Sequence, residues 1–377
     1  MRAPAVPGPV GSGADDRYRV MVVDDSAVVR GIITRSLESD PAIKVVASLP
    51  NGAIAVRMLP STPVDVIVLD IEMPEMDGMT ALPELLAINP GVKIIMVSTL
   101  TRRNADISMR AIALGAADYV PKPASGLSGA DEFKAELVTK VKAYGARAAR
   151  GRPAPLPAAP RQSARPPVPP AAIRPIGLRS APIERPSVIA IGSSTGGPQA
   201  LADVLKSIGP GVTQPIVITQ HMPPTFTAIL AEHMTRYAGR PAAEAMDGET
   251  LQPGRIYIAP GGHHMIMERA PSGAIVRLTD TPPENSCRPA VDPMLRSLAA
   301  IYKRKLLVVI LTGMGYDGLK GSKVAVEAGA ALIAQDQASS VVWGMPGAVA
   351  QAGICNAVLP LAEIGKAIGR IARGEPL

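Results

Sequence analysis

The sequence predicts an α/β protein made of two doubly wound domains joined by an extended bridge. Three observations predict it. Strand-length apolar runs alternate with helical patterns from Tyr18 to about residue 145 and again from Ser187 onwards, the signature of parallel sheets with crossover helices. The runs are rich in Val, Ile and Leu, while aromatic residues make up only 3% of the chain, which suits parallel strands buried on both faces. Between the two halves, residues 146–186 are dense in Pro, Ala and Arg without a hydrophobic period, so they read as an extended, semi-rigid linker.

The chain of 377 residues is long enough for two domains of ordinary size. Residues 1–17, rich in Pro, Gly and Ala, read as a disordered tail. Residues 18–145 form the first domain, with strands expected at Arg19–Val23, Ile43–Ala47, Val64–Leu69, Lys93–Val97 and Asp118–Val120 and a last helix at Ala130–Tyr144. Residues 187–377 form the second, with strands expected at Val188–Ile191, Pro215–Thr219, Ile256–Ala259, Ala274–Leu278, Leu306–Leu311 and Ala331–Ala334.

Charge and cysteine usage narrow the function classes. The net charge is +7, yet residues 146–186 hold eight Arg against the single acid Glu184 and account for +7 alone. The folded parts are therefore near neutral, and no basic face for nucleic acid is expected. The two cysteines, Cys287 and Cys355, lie far apart, which argues against a disulfide scaffold or zinc site and suits a reducing cytoplasm. The longest apolar stretches, such as Leu306–Leu311, are too short to span a bilayer, and the N-terminus lacks a signal-peptide pattern, so no membrane insertion is expected.

The first half carries an acidic constellation. Asp24 and Asp25 follow the first strand, Asp70 ends the third, Ser98 ends the fourth and Lys122 follows the fifth. In a doubly wound sheet these strand ends gather at one edge, where ligands bind. Carboxylates crowded there repel one another unless a divalent cation joins them, and oxygen-only ligands favour Mg²⁺. An aspartate so placed can act as nucleophile toward a phosphoryl donor. Lys122 would then pair with the phosphoryl oxygens and Ser98 would hydrogen-bond one of them. Solvated loop acids are the bland alternative.

The second half carries a neutral one. Val188–Ile191 runs into G-S-S-T-G-G-P, where residues 192–196 fit the G-x-S-x-G elbow with Ser194 at its centre. Pro198 suits the first turn of the helix that follows. His221 directly follows the next strand, and Asp317 lies in L-T-G-M-G-Y-D-G after the strand Leu306–Leu311. All three lie beyond strand C-termini and can converge, Ser194 attacking an acyl carbon, His221 taking its proton and Asp317 orienting the imidazole. Met314 can offer its N–H to an oxyanion, although a buried Met is the alternative. His263 and His264 compete with His221 or line a cleft, and His233 falls on a helix. The chain order Ser, His, Asp disfavours the α/β-hydrolase fold, whose order is Ser, Asp, His.

Two resemblances sharpen this reading. V-V-D-D-S, L-D-I-E-M-P-E-M-D-G, V-S-T and K-P at successive strand ends resemble the response-regulator receiver domain, a flavodoxin-like fold, over about residues 18–140. The resemblance implies phosphorylation at Asp70, Mg²⁺ held by Asp24, Asp25, Asp70 and the Glu72 carbonyl, switch roles for Ser98 and Tyr119, and a cis Lys122–Pro123 bond. Tyr119 could equally be an ordinary edge aromatic. G-S-S-T-G-G-P, Q-H-M-P, A-P-G-G-H-H-M, R-P-A-V-D and L-T-G-M-G-Y-D-G, in this order, resemble the CheB family of chemotaxis protein-glutamate methylesterases over about residues 187–372. That resemblance implies a parallel-sheet methylesterase domain with Ser194, His221 and Asp317 as its triad, Met314 as an oxyanion donor and no esterase cofactor. It implies hydrolysis of glutamate methyl esters on the cytoplasmic helices of chemoreceptors, with deamidation of glutamines as a related activity, and a chemotaxis-type histidine kinase as partner. A receiver-linked DNA-binding regulator would need a basic recognition helix, and the larger strand-loop-helix second half does not suit one. A related hydrolase serving a receptor outside chemotaxis is the other alternative.

Overall fold

A computed structural model describes residues 17–99, 101–122, 130–149, 177–180, 183–271 and 273–376. The expected tail up to residue 16, most of the linker and the Lys122–Pro123 bond lie outside these residues.

The first domain runs β1 (Tyr18–Val23), α1 (Ala27–Glu38), β2 (Ile43–Leu49), α2 (Gly52–Met58), β3 (Val66–Asp70), α3 (Gly78–Ile88), β4 (Lys93–Ser98), α4 (Arg102–Ala113), β5 (Asp118–Pro121) and α5 (Ala130–Ala149). Its five strands are parallel in the order β2-β1-β3-β4-β5, the flavodoxin-like winding. Every residue of β3 is buried, as expected for Val/Ile-rich strands covered by helices on both faces. Ser26, Asn51, Asp77 and Thr101 cap α1 to α4, each side chain accepting from an N–H in the first turn. The loops after the strands therefore start helices and gather polar side chains at one edge.

The second domain runs β6 (Val188–Ser193), α6 (Gly197–Ser207), β7 (Ile216–Gln220), α7 (Phe226–Ala238), β8 (Ala242–Glu244), β9 (Ile256–Ile258), β10 (His264–Ala270) and β11 (Gly273–Thr279). It continues with α8 (Val291–Tyr302), β12 (Leu306–Ile310), α9 (Leu319–Glu327), β13 (Ala331–Gln335), α10 (Met345–Gln351), β14 (Ala357–Leu359) and α11 (Leu361–Ala372). Seven parallel strands form its sheet in the order β14-β13-β12-β6-β7-β9-β8. Adding strands on both sides of β6 places a topological switch at the β6/β12 boundary, so the loops after β6, β7 and β12 share one edge.

Three details depart from the sequence reading. The strand expected at Ala274–Leu278 is β11, which pairs antiparallel with β10 in a separate two-stranded ribbon. The strands β8 and β14 went unread because three residues carry no readable period, and β10 because charged Glu268 and Arg269 interrupt it. Helix α5 continues past Tyr144 to Ala149, and Arg147 in its last turn donates to the Ser339 and Ser340 carbonyls, each at 3.2 Å. A contact from the other domain thus holds the extra turn.

The domains touch. One buried apolar cluster runs from Met109, Ile112 and Tyr119 of the first to Phe226, Leu230 and Met234 of the second. The Tyr119 and Phe226 rings stack with centroids 4.5 Å apart and 6° between planes. Arg102 of α4 pairs with Glu232 of α7 at 3.0 Å, and Asp106 with His233 at 3.4 Å. Nearer the second domain, Arg179 and Arg185 donate to the carbonyls of Ala330 and Ala372. Among the described residues no helix is long and apolar enough to cross a membrane.

Candidate active site

At the C-terminal edge of the first sheet, ligand oxygens of Asp24, Asp25 and Asp70 lie within 4.8 Å of one another. Asp24 and Asp70 are buried and Asp25 is exposed. Lys122 Nζ reaches both Asp24 Oδ2 and Asp70 Oδ1 at 2.9 Å. Burial pushes Asp70 up to about 6 against the hydrogen bond and charge of Lys122, with the Asp24 carboxylate adding to the rise. Three carboxylates crowded on one ammonium leave negative charge uncompensated, and their oxygen-only donor set fits Mg²⁺. A cleft of about 440 Å³ opens beside them, lined by Asp25, Glu72, Asp77 and Arg103 among others. Ser98 is buried at the end of β4, where its Oγ pairs with Ser108 Oγ of α4 at 3.0 Å. Tyr119 lies on β5, the edge strand of the first sheet, but is 4% exposed because its ring is covered in the interdomain stack.

The second constellation is built on the β6–α6 turn. Ser194 N–H donates to the Thr312 carbonyl at 3.0 Å, and Gly197 N–H donates to the Ser194 carbonyl at 2.7 Å, closing the turn. Gly196 adopts φ +74°, a left-handed conformation that favours glycine. Gln220 ties the turn to β7, its Oε1 accepting from Ser193 Oγ at 2.7 Å and its Nε2 donating to the Ser194 carbonyl at 3.0 Å. Gly313 packs against Ser194: a Cβ there would lie 2.9 Å from Ser194 Cβ and 3.0 Å from its backbone nitrogen.

Strands β6 and β7 are neighbours with Ser193 opposite Gln220, so Ser194 and His221 leave the sheet side by side. His221 Nε2 meets Asp317 Oδ2 at 2.7 Å. Asp317, 2% exposed, also accepts from Val291 N–H at 2.6 Å, Asp292 N–H at 3.1 Å, Gly318 N–H at 2.9 Å and Asn285 Nδ2 at 2.8 Å. The N-cap of α8 is Ala290, which has no side-chain acceptor, so Asp317 caps that helix from a distant loop. Burial alone would raise the Asp317 pKa; the hydrogen bond and charge of His221 and the helix N–H groups outweigh it and hold the carboxyl below the usual carboxylate range. Burial likewise works to lower His221, but its hydrogen bonds to Asp317 and Cys287 prevail and push it up to about 9.

Among the described residues no hydrogen bond joins Ser194 Oγ to His221; the other ring nitrogen, Nδ1, is hydrogen-bonded with Cys287 Sγ at 3.4 Å. The competing histidines are occupied elsewhere. His263 pairs with Asp280 at 2.6 Å, buried His264 bonds the Pro282 carbonyl and Ala290 N–H, and His233 sits on α7 beside Asp106. Met314 is 47% exposed, which removes the buried-Met alternative, and its N–H makes no hydrogen bond among the described residues.

Sequence reasoning missed three neighbours. Asn285 bridges Asp317 and Asp292, Cys287 meets His221, and Asp118 of β5 reaches across the interface so that its Oδ2 accepts from Gly196 N–H at 3.2 Å. None carries a local pattern, since each acts on a residue far away in the chain.

The geometry agrees with the comparisons. Residues 189–368 match the family described as CheB methylesterase, and residues 20–128 match the response regulator receiver domain. A protein-glutamate methylesterase/protein-glutamine glutaminase of Azospirillum brasilense is 60% identical, over 97% of this chain and 95% of that protein. One from Paramagnetospirillum magneticum is 58% identical over 96% of this chain and 98% of that protein, and one from Rhodospirillum rubrum is 54% identical over 94% and 95%. A glycine-flanked serine turn, a paired His and Asp and a receiver domain in one chain, together with identity at this level along nearly its whole length, place the protein in the CheB family of receiver-linked protein-glutamate methylesterases.

Proposed function

We propose that this chain hydrolyses glutamate methyl esters on the cytoplasmic helices of chemoreceptors, releasing methanol, and deamidates glutamines at related positions, under the control of phosphorylation at Asp70. The observation that carries the reading is the His221–Asp317 pair at 2.7 Å beside the Ser194 turn. Ser194 Oγ attacks the ester carbonyl while His221 Nδ1 takes its proton, because Nε2 is engaged by Asp317. Asp317 stabilises the imidazolium that forms. The Met314 N–H, free of other partners among the described residues, points to the oxyanion donor. The imidazolium then gives its proton to the departing methoxide oxygen, which leaves as methanol, or to the departing amide nitrogen of a glutamine, which leaves as ammonia, and water releases the acyl group by the same route in reverse.

In the receiver, Asp70 accepts the phosphoryl group from a chemotaxis-type histidine kinase. Asp24, Asp25, Asp70 and the Glu72 carbonyl would hold Mg²⁺, which supplies positive charge against the phosphoryl oxygens. Lys122, already bridging Asp24 and Asp70, adds a second cation, and Ser98 leaves Ser108 to donate to a phosphoryl oxygen. The receiver's β5, α4 and α5 lie against α6, α7 and residues 339–341 around the Ser194 turn, which supports a closed resting arrangement. Asp118 meanwhile occupies an N–H at the α6 N-terminus, where an anion is favoured. Phosphorylation shifts the population toward the open form only as far as the phosphoryl group prefers it. The reading places the protein in the cytoplasm, where its receptor helices and kinase would be.

The test is methanol release from methylated receptor membranes by the wild type and Ser194→Ala, each with and without an acyl phosphate donor and Mg²⁺. Donor-stimulated release that Ser194→Ala abolishes is expected. Equal release by both proteins would remove the nucleophile assignment, and no release from folded wild type would remove the substrate.

A further inference from the structure

The partners of His221 divide its two nitrogens. Nε2 is engaged by Asp317 at 2.7 Å, so Nδ1 alone is left to take a proton from Ser194. That nitrogen faces the sulfur of Cys287 at 3.4 Å. The sulfur is delivered by a built turn. Glu284 and Cys287 exchange both main-chain hydrogen bonds, at 3.1 and 3.0 Å, and the two residues between them are left-handed, Asn285 at φ +53° and Ser286 at φ +63°. This is the two-residue hairpin in which both central residues take positive φ, a place Asn tolerates well. The hairpin is pinned on both sides. Glu284 forks onto Arg296 of α8 with two contacts of 2.7 Å, and Asn285 Nδ2 reaches Asp317 Oδ1 at 2.8 Å and Asp292 Oδ2 at 2.9 Å. The turn that grips the carboxylate from one side therefore sets a sulfur on the ring from the other.

We propose that Cys287 is a positioning residue of the esterase, whose sulfur holds Nδ1 of His221 in the resting arrangement and must release it before Ser194 can be deprotonated. This rests on the serine-esterase reading above. An imidazolium donating Nδ1–H to sulfur is stabilised in the form that cannot act as a base; burial works to lower His221, and the hydrogen bonds to Asp317 and then Cys287 overcome it and push the ring up to about 9. The other charged groups around the ring stay in place when the sulfur is removed. They are Asp317, Asp292 behind Asn285, Glu284 with Arg296, and His264 of β10 beside Ala290. Loss of the sulfur therefore lowers the pH at which the ring becomes neutral.

The full-length protein tests this in two arms. The first is the pH profile of methanol release by Cys287→Ala and Cys287→Ser, with phosphoryl donor and Mg²⁺ present throughout. The acid limb of kcat/KM is expected to move to lower pH by about one unit, about a tenfold gain on the limb, with KM unchanged. A residue that merely fills space would lower kcat at every pH and leave the limb where it is. The second arm needs no esterase activity: alkylation by iodoacetamide, located by peptide mass spectrometry, in wild type and His221→Gln. A thiol paired with an imidazolium reacts faster, so Cys287 is expected to be alkylated several-fold more slowly in His221→Gln. Buried Cys355, whose thiol burial pushes up to about 12, should stay unmodified in both and so report an intact fold. An unmoved limb in both variants, or Cys287 alkylation indifferent to His221→Gln, overturns the proposal. If wild type releases no methanol, the esterase reading falls, while the alkylation arm still decides whether sulfur and ring are paired.

Discussion

Replacing Tyr119 by Leu should raise the esterase activity of the unphosphorylated protein. Its ring is 4% exposed, its partner Phe226 is fully buried, and the two stack across the domain boundary at 4.5 Å. An aromatic pair of this kind contributes about 0.5–1.5 kcal/mol beyond its buried area. Losing it shifts the closed-to-open ratio by about two- to twelvefold. The remaining contacts divide unequally. The Arg102–Glu232 pair, 77% and 53% exposed, contributes little, whereas the Asp118 bond to Gly196 N–H is buried and persists. The basal rate should therefore rise a few-fold and stay below the donor-stimulated rate. The assay is methanol release without a phosphoryl donor for Tyr119→Leu, Phe226→Leu and the double variant. Each single variant is expected to be faster than wild type, and the double little faster than either, since both remove the same stack. Tyr119→Phe keeps the ring and should stay near wild type. Single variants no faster than wild type, or two effects that simply add, would refute the reasoning.

Four further predictions follow from the same geometry. Ser194→Ala should lower methanol release by at least about a thousandfold while leaving the unfolding midpoint near wild type. His221 is held above its ordinary 6.5 at about 9, so its charge stabilises the fold fully below about pH 6.5 and that contribution is lost as the pH rises through about 9; urea unfolding across this window should show the decline in wild type and lack it in His221→Gln. Gly313→Ala forces a methyl group against Ser194 and Met345 and should cost about 1–3 kcal/mol in denaturation together with most of the activity. Lys140→Met strands the buried Asp118 carboxylate, which Lys140 Nζ now meets at 3.1 Å, and should destabilise the receiver by about 3–5 kcal/mol in chemical unfolding.

Much of the fold and both site skeletons were legible because they rest on local rules. A carboxylate, hydroxyl or lysine at a strand end is read from the strand before it, and sheet topology then gathers such ends at one edge. That logic located Asp24, Asp70, Ser98 and Lys122 in one half and Ser194, His221 and Asp317 in the other. It failed where an element is too short or too charged to show a period, as in β8, β14 and β10. It also gave no hint of the β10–β11 ribbon, because whether two strands pair with each other or with a sheet is a long-range matter. The competition among His221, His263 and His264 could not be resolved from spacing, since all three follow or begin strands.

The amino-acid sequence by itself determined the two α/β units, their Val/Ile-rich cores and the residue types at each sheet edge, because period and strand-end chemistry are encoded in neighbours along the chain. Only the tertiary structure decided which nitrogen of His221 faces Asp317, that Asp317 caps α8, that Asn285 and Cys287 close on the pair from behind, and that Asp118 and Tyr119 reach the other domain. Those contacts join residues as many as 107 positions apart, as between Tyr119 and Phe226, and only packing of the folded elements brings them within hydrogen-bonding or van der Waals distance.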